Sequence, residues 1–85
     1  MNAKEMFESI GWNKVKKPAE LEPIFNDFYS NNDIVYEFYH EGDLTCRLYF
    51  IDGVYGYAVD NLSAIEVVPQ EHQAITQQMK ELKWL

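Results

Sequence analysis

Three places in the 85-residue sequence put side chains capable of chemistry close together or make one reactive. His40-Glu41-Gly42-Asp43 sets an imidazole and two carboxylates in one tetrapeptide, a donor set that a divalent metal accepts. Metal ligands, however, must converge from rigid elements and be oriented by a further layer of hydrogen bonds. A contiguous hairpin loop does not supply that, so a plain turn is expected. Glu71-His72 places a carboxylate beside an imidazole, the makings of an acid/base pair. Adjacent helical residues point in different directions, so His72 is expected as a half-buried packing residue. Cys46 would be a nucleophile only as an accessible thiolate. It stands inside an apolar run, where a free cysteine is buried and inert. A single cysteine also excludes an internal disulfide and a multi-cysteine zinc site. No Ser-His-Asp ordering and no Gly-rich phosphate loop occurs. The expectation is a protein that is not an enzyme, with no catalytic, cofactor-binding or metal residues and no small-molecule substrate in evidence.

The elements that must position these residues centre on 34–59. Ile34–His40, Leu44–Ile51 and Val54–Val59 are rich in β-branched and aromatic residues and are separated by Glu41-Gly42-Asp43 and Asp52-Gly53. Asp-Gly between two such runs signals a type I′ hairpin, because both central residues of that turn need φ > 0. An antiparallel meander follows. A two-residue loop at Asp52-Gly53 pairs Ile51 with Val54, Leu48 with Tyr57 and Cys46 with Val59. A three-residue loop at 41–43 pairs His40 with Leu44, Phe38 with Cys46 and Ile34 with Phe50. One face then gathers Ile34, Tyr36, Phe38, Leu44, Cys46, Leu48, Phe50, Tyr55, Tyr57 and Val59. In this register Glu37 lies opposite Arg47 on the other face, whereas a one-residue slip would drive Glu37 into the core.

Flanking segments read less uniformly. Ala3, Met6, Phe7 and Ile10 form one apolar stripe of a helix over 3–10, with Asn2 as N-cap, Gly11 as stop and Trp12 placed to fold back on the last turn. Residues 13–17 carry the one basic cluster, expected as a solvated loop or edge strand. Leu21, Ile24, Phe25 and Phe28 have helical spacing, and Pro23 suits a first helical position, so a short helix over 23–29 is expected. Residues 64–68 read as a fourth strand. Pro69 opens a final helix over 70–83, with His72, Ile75, Met79 and Leu82 inward and Glu71, Gln73, Gln77, Lys80, Glu81 and Lys83 toward water. Trp84 and Leu85 clamp its end.

The fold expected is α+β in two layers: an antiparallel three- to four-stranded sheet with N- and C-terminal helices packed on one face. Residues 1–85 have the length of a single domain, and 47% apolar with 15% aromatic residues supports a core without staples. No apolar run reaches bilayer length, and the first residues lack a signal peptide's apolar core, so a cytoplasmic setting is expected, away from membranes. A formal charge of −7 opposes direct nucleic-acid binding.

The order of the C-terminal third, Ile65-Glu-Val-Val-Pro-Gln-Glu-His-Gln-Ala-Ile75 followed by Lys80-Glu-Leu-Lys-Trp-Leu85, resembles small uncharacterised proteins encoded by phages and prophages of Gram-positive bacteria. The opening helix Ala3-Lys-Glu-Met-Phe-Glu-Ser-Ile-Gly-Trp12 is similar to theirs as well. Lys83 stands where that tail would carry Gly. The resemblance implies a small α+β phage accessory protein and supplies no catalytic residues. The outer sheet face (Val35, Glu37, Tyr39, Thr45, Arg47, Tyr49, Ile51, Val54, Gly56 and Ala58) is more aromatic and aliphatic than solvation requires. Two uses are open for it. Residues 13–30 cover it, or Tyr39, Arg47, Tyr49, Ile51 and Val54 form an interface with a host or phage protein or within a homodimer. The second functional reading is an acidic, anti-CRISPR-like inhibitor of a nucleic-acid-binding defence complex.

Overall fold

In the computed structural model, which describes residues 1–24, 26–59 and 66–85, the sheet is organised as that pattern requires. Helix α1 (Ala3–Ser9) leads into strand β1 (Trp12–Lys14); β2 (Ile34–His40), β3 (Asp43–Ile51) and β4 (Val54–Val59) follow, and α2 (Pro69–Glu81) closes the chain. The four antiparallel strands lie in the order β1-β2-β3-β4. Both helices contribute to the core on one face of the sheet. The fold is α+β, with the fourth strand contributed by residues 12–14 at the N-terminal edge. Residues 66–68 are not strand, and 60–65, where the rest of the expected C-terminal strand falls, lie outside the described residues.

Turn chemistry sets the register. Asp52 (φ 48°) and Gly53 (φ 86°) form the two-residue turn, and β3 pairs with β4 as expected from Ile51–Val54 through Cys46–Val59. The first hairpin departs at its tip. Glu41 accepts φ 52° beside Gly42 at φ 85°, so the loop has two residues and His40 faces Asp43, not Leu44. A bulge restores the register: Tyr39 pairs with Leu44 and Phe38 with Cys46, leaving Thr45 as the extra residue.

Asn2 and Glu5 cap α1 reciprocally, each side chain accepting the other's backbone N–H, which satisfies two donors the helix leaves free. Glu81 of α2 accepts the Ala3 N–H at 2.7 Å, tying the two helices together. At the end of α2, Lys83 adopts φ 62°; its N–H reaches the Lys80 carbonyl and the Trp84 N–H reaches that of Met79. This is a Schellman closure, and the left-handed residue is where glycine is ordinarily found.

The core collects Ala3, Phe7, Trp12, Tyr36, Cys46, Leu48, Phe50, Ala74 and Ile75, with Met79, Leu82 and Trp84 packed against it. Phe7 lies 4.1 Å, centroid to centroid, from Tyr36, and Trp12 makes an edge contact with Phe7 as well as lying near Phe38. Of the stripe expected inward on α2, Ile75, Met79 and Leu82 pack on the core and His72 does not. Glu71, Ala74, Ile75 and Gln78 are buried, and His72 is exposed. Turning the helix this way gives both buried polar groups partners. Tyr57 and Trp12 Nε1 donate to Glu71, and the fully buried Tyr36 donates to Gln78 at 2.6 Å.

Among the described residues of 23–29, which leave out residue 25, none is helical. Asn26 sits at φ 55°, which interrupts a right-handed helix. The Asp27 carboxylate also captures the Ile24 N–H at 2.6 Å, a local alternative to helical pairing. Just before this stretch, Pro18–Glu20 forms a 3₁₀ turn.

Candidate functional site

The outer face of the sheet is built around Arg47. Its backbone belongs to the central strand β3, its side chain is 3% exposed, and it makes three hydrogen bonds. Nε donates to Glu37 at 3.0 Å, and one terminal nitrogen donates to Asp27 at 2.9 Å and to the Glu22 carbonyl at 2.7 Å. Asp27 also accepts from Tyr29 at 2.8 Å, and Tyr29 in turn lies against Tyr49. Burial pulls the Arg47 pKa down, but its hydrogen bonds and charge pairing with Asp27 and Glu37 outweigh that and raise it, so the guanidinium stays charged. Burial and the bond to Asp27 push the Tyr29 phenol up. The cluster therefore holds one cation against two carboxylates and a carbonyl. It is a fastening.

This fastening covers the face. Val35 and Ala58 are buried, Leu21 and Ile24 are half-buried, and Tyr49 lies across Gly56 rather than beside an open gap. The five residues expected as an interface thus do not share one open surface. Arg47 is buried under Glu22 and Asp27, Tyr49 and Ile51 are half-buried, and Tyr39 and Val54 are exposed. Those two sit at opposite ends of the sheet, roughly 24 Å apart along β3 at about 3.4 Å per residue. Of residues 13–30, the internal alternative, Glu22, Asp27 and Tyr29 make contact with the middle of the face, while 13 and 14 belong to the sheet itself and Phe28 is exposed.

The chemistry-bearing residues do not converge. His40, Glu41 and Asp43 are exposed, with His40 Nε2 3.9 Å from Glu41. Among the described residues no group of three His, Cys, Asp or Glu side chains could hold a metal ion. Glu71 and His72 diverge, one buried and one in water. Cys46 is buried, and burial, with Glu71 nearby, pushes its thiol up to about 11. Sequence reasoning missed Asp27 and Glu71 as buried partners. For Glu71 a signal existed: Glu71, Ala74, Ile75 and Gln78 fall at i, i+3, i+4, i+7.

Also outward, with Phe28 and Tyr39, is the far edge of the sheet. Strand β4 is terminal, its residues Val54-Tyr-Gly-Tyr-Ala-Val59 carry no charge, and Val54 and Tyr55 are 60% and 44% exposed. Beside it Phe50 packs between Tyr55 and Trp84, and Leu85 is exposed. Among the described residues no helix is long and apolar enough to cross a membrane. Compared with protein-family models, curated proteins and solved structures, the chain matches none.

Proposed function

We propose that this chain is a non-catalytic protein-interaction module, a phage or prophage accessory protein that works in the host cytoplasm by binding a host or phage protein. The observation that supports it most is β4: an uncharged, partly exposed outer strand ending in the Val54-Tyr55 corner of a protein with formal charge −7. Exposed tyrosine and aliphatic groups are the residue types that interface centres favour over charged ones. The polar clusters around Arg47 and Glu71 are turned inward, so on the sheet the apolar side chains and open edge of β4 are the candidate contact. The acidic surface fits a partner whose contact region is neutral or basic.

Copurification from a Gram-positive host lysate tests the reading, run with wild type and with Val54→Lys at low and high salt. A protein retained at high salt by wild type and lost with the folded variant is the expected result. Substrate turnover, or a nucleoprotein released by salt from both forms, would overturn it, the latter in favour of the acidic-inhibitor reading.

A further inference from the structure

The two edges of the sheet are treated differently. Edge β1 is three residues long, and Lys14, Lys16 and Lys17 stand exposed on and just beyond it. Short, lysine-bearing edges are the ordinary defence against unwanted strand pairing. Edge β4 has six residues and no charge, proline or bulge. Among the described residues no strand pairs with its outer side.

Its backbone groups can be assigned. A two-residue turn closes on a hydrogen-bonded pair, here Ile51–Val54, and such pairs alternate along an antiparallel ladder. Val54, Gly56 and Ala58 therefore bond to β3, and Tyr55, Tyr57 and Val59 direct their N–H and C=O groups outward. These three positions are symmetric about Tyr57. We infer that β4 pairs antiparallel with β4 of a second copy about a two-fold axis at Tyr57, making one continuous eight-stranded sheet from two four-stranded ones. The inference rests on the reading of β4 as the interaction surface and names its partner.

Pairing in this register sets Tyr57 beside Tyr57 of the second copy and Tyr55 beside Val59 of the second copy. All outward groups are satisfied by about six hydrogen bonds. Gly56 and Ala58 meet on the other face, where neither has bulk. No charged residue of β4 confronts its own copy, so no like-charge pair opposes the contact locally although each chain carries −7. An isologous contact of this kind closes at two copies, whereas β4 meeting the lysine edge of another molecule would propagate without end. A six-residue edge buries less than the roughly 1,600 Å² of a standard stable interface, so the dimer is concentration-dependent.

The test joins sedimentation equilibrium with amide exchange on the full chain across a concentration series. Expected is a shift from the 10.0 kDa chain mass to twice that value, favoured by added salt because screening relieves repulsion between like-charged copies. The Tyr55, Tyr57 and Val59 amides should become protected in step with the mass, while those of Val54, Gly56 and Ala58 are protected throughout. Tyr55→Pro removes an outward donor without touching the β3 ladder, so it should stay folded and remain monomeric. A monomer at every concentration with those three amides unprotected would overturn the dimer. That result would leave the capture experiment to judge binding of other proteins. Dimerisation with the three amides unprotected would overturn the inference as well, since the contact would lie elsewhere.

Discussion

The two faces of this sheet are covered by different materials, and they are held in different ways. On one face lie two helices, whose backbone groups are paired within themselves, so the face is closed by Phe7, Tyr36, Leu48, Phe50 and Ile75. On the other lie the irregular stretches 18–24 and 26–30, whose backbone arrives with unpaired groups that burial would strand. Side chains supply the partners: Arg47 reaches the Glu22 carbonyl, Asp27 takes the Ile24 N–H and Asn31 takes the Ala19 N–H. Covering a sheet with loop rather than helix thus moves ionic groups into the interior. Arg47 and Leu48, adjacent on β3, report on the two arrangements separately.

The largest effect is expected at Arg47. Removing one member of a buried ion cluster strands the others, and Arg47→Ala leaves Asp27 and Glu37, 8% and 13% exposed, without their cation. A loss of about 3–5 kcal/mol in denaturant unfolding is expected. Limited proteolysis should cut first within 18–30. A loss under about 1 kcal/mol would place Arg47 among ordinary surface pairs and end the contrast between the faces.

On the helical face Leu48→Ala removes a fully buried side chain and should cost about 2–5 kcal/mol by urea titration. Here the damage is a cavity, and no single segment should detach before the rest. An unfolding curve superposable on wild type would mean that the register places Leu48 wrongly.

Much of this contrast was legible beforehand, and the gaps have physical causes. Parity alone placed Glu37 opposite Arg47, because side chains alternate along a strand and only one register keeps Glu37 out of the core. Asp27 was not legible. It joins Arg47 across 20 positions of sequence, and nothing local marks it as a buried partner. The spacing of Leu21, Ile24, Phe25 and Phe28 suggested a helix, yet Asn26 and Asp27 between them favour a folded loop, and Phe28 ends 76% exposed. On α2 hydrophobicity pointed to His72, while satisfaction of Trp12 and Tyr57 selected Glu71. Glu37 was thus visible from parity, Asp27 was hidden by sequence distance, and Glu71 was signalled by its spacing but outweighed by the apolar pattern.

Alkaline titration gives a more gradual effect and bears on both faces at once. Burial pushes up the phenols of Tyr36 and Tyr57 on the helical face and of Tyr29 on the loop face, and raises the Cys46 thiol to about 11. A raised pKa means the folded state holds its proton longer than the unfolded chain. The stability these groups add is complete below their unfolded values, about 8.5 for the thiol and about 10 for the phenols. It is lost as pH climbs through the folded values. Stability should be level to about pH 8.5 and fall beyond it, with ionisation of Tyr29, Tyr36 and Tyr57 and labelling of Cys46 appearing together with unfolding. Labelling of Cys46 at neutral pH in the folded state would show that the helical face is not closed over β3.

The smallest effect separates packing from pairing on the loop face. A Cβ added at Gly56 would lie 2.6 Å from Tyr49 Oη and 2.8 Å from Tyr49 Cζ, so the ring must swing off its strand neighbour. The obstacle is the far end of a side chain, which can move, but moving it loosens the contact with Tyr29, now 6.0 Å between ring centroids. Gly56→Ala should therefore cost about 1 kcal/mol, the scale of one aromatic pair. In a Tyr49→Ala background the obstacle is gone, and the same change should stabilise by about 0.5–1 kcal/mol, because glycine inside a strand gives up more chain entropy than alanine. The two backgrounds should differ in sign, and a double-mutant cycle in urea measures the difference. Were Gly56→Ala stabilising in wild type too, Tyr49 would not be pressed against β4. The loop face would then be held by the Arg47 cluster alone, with its aromatic cover contributing nothing to the sheet.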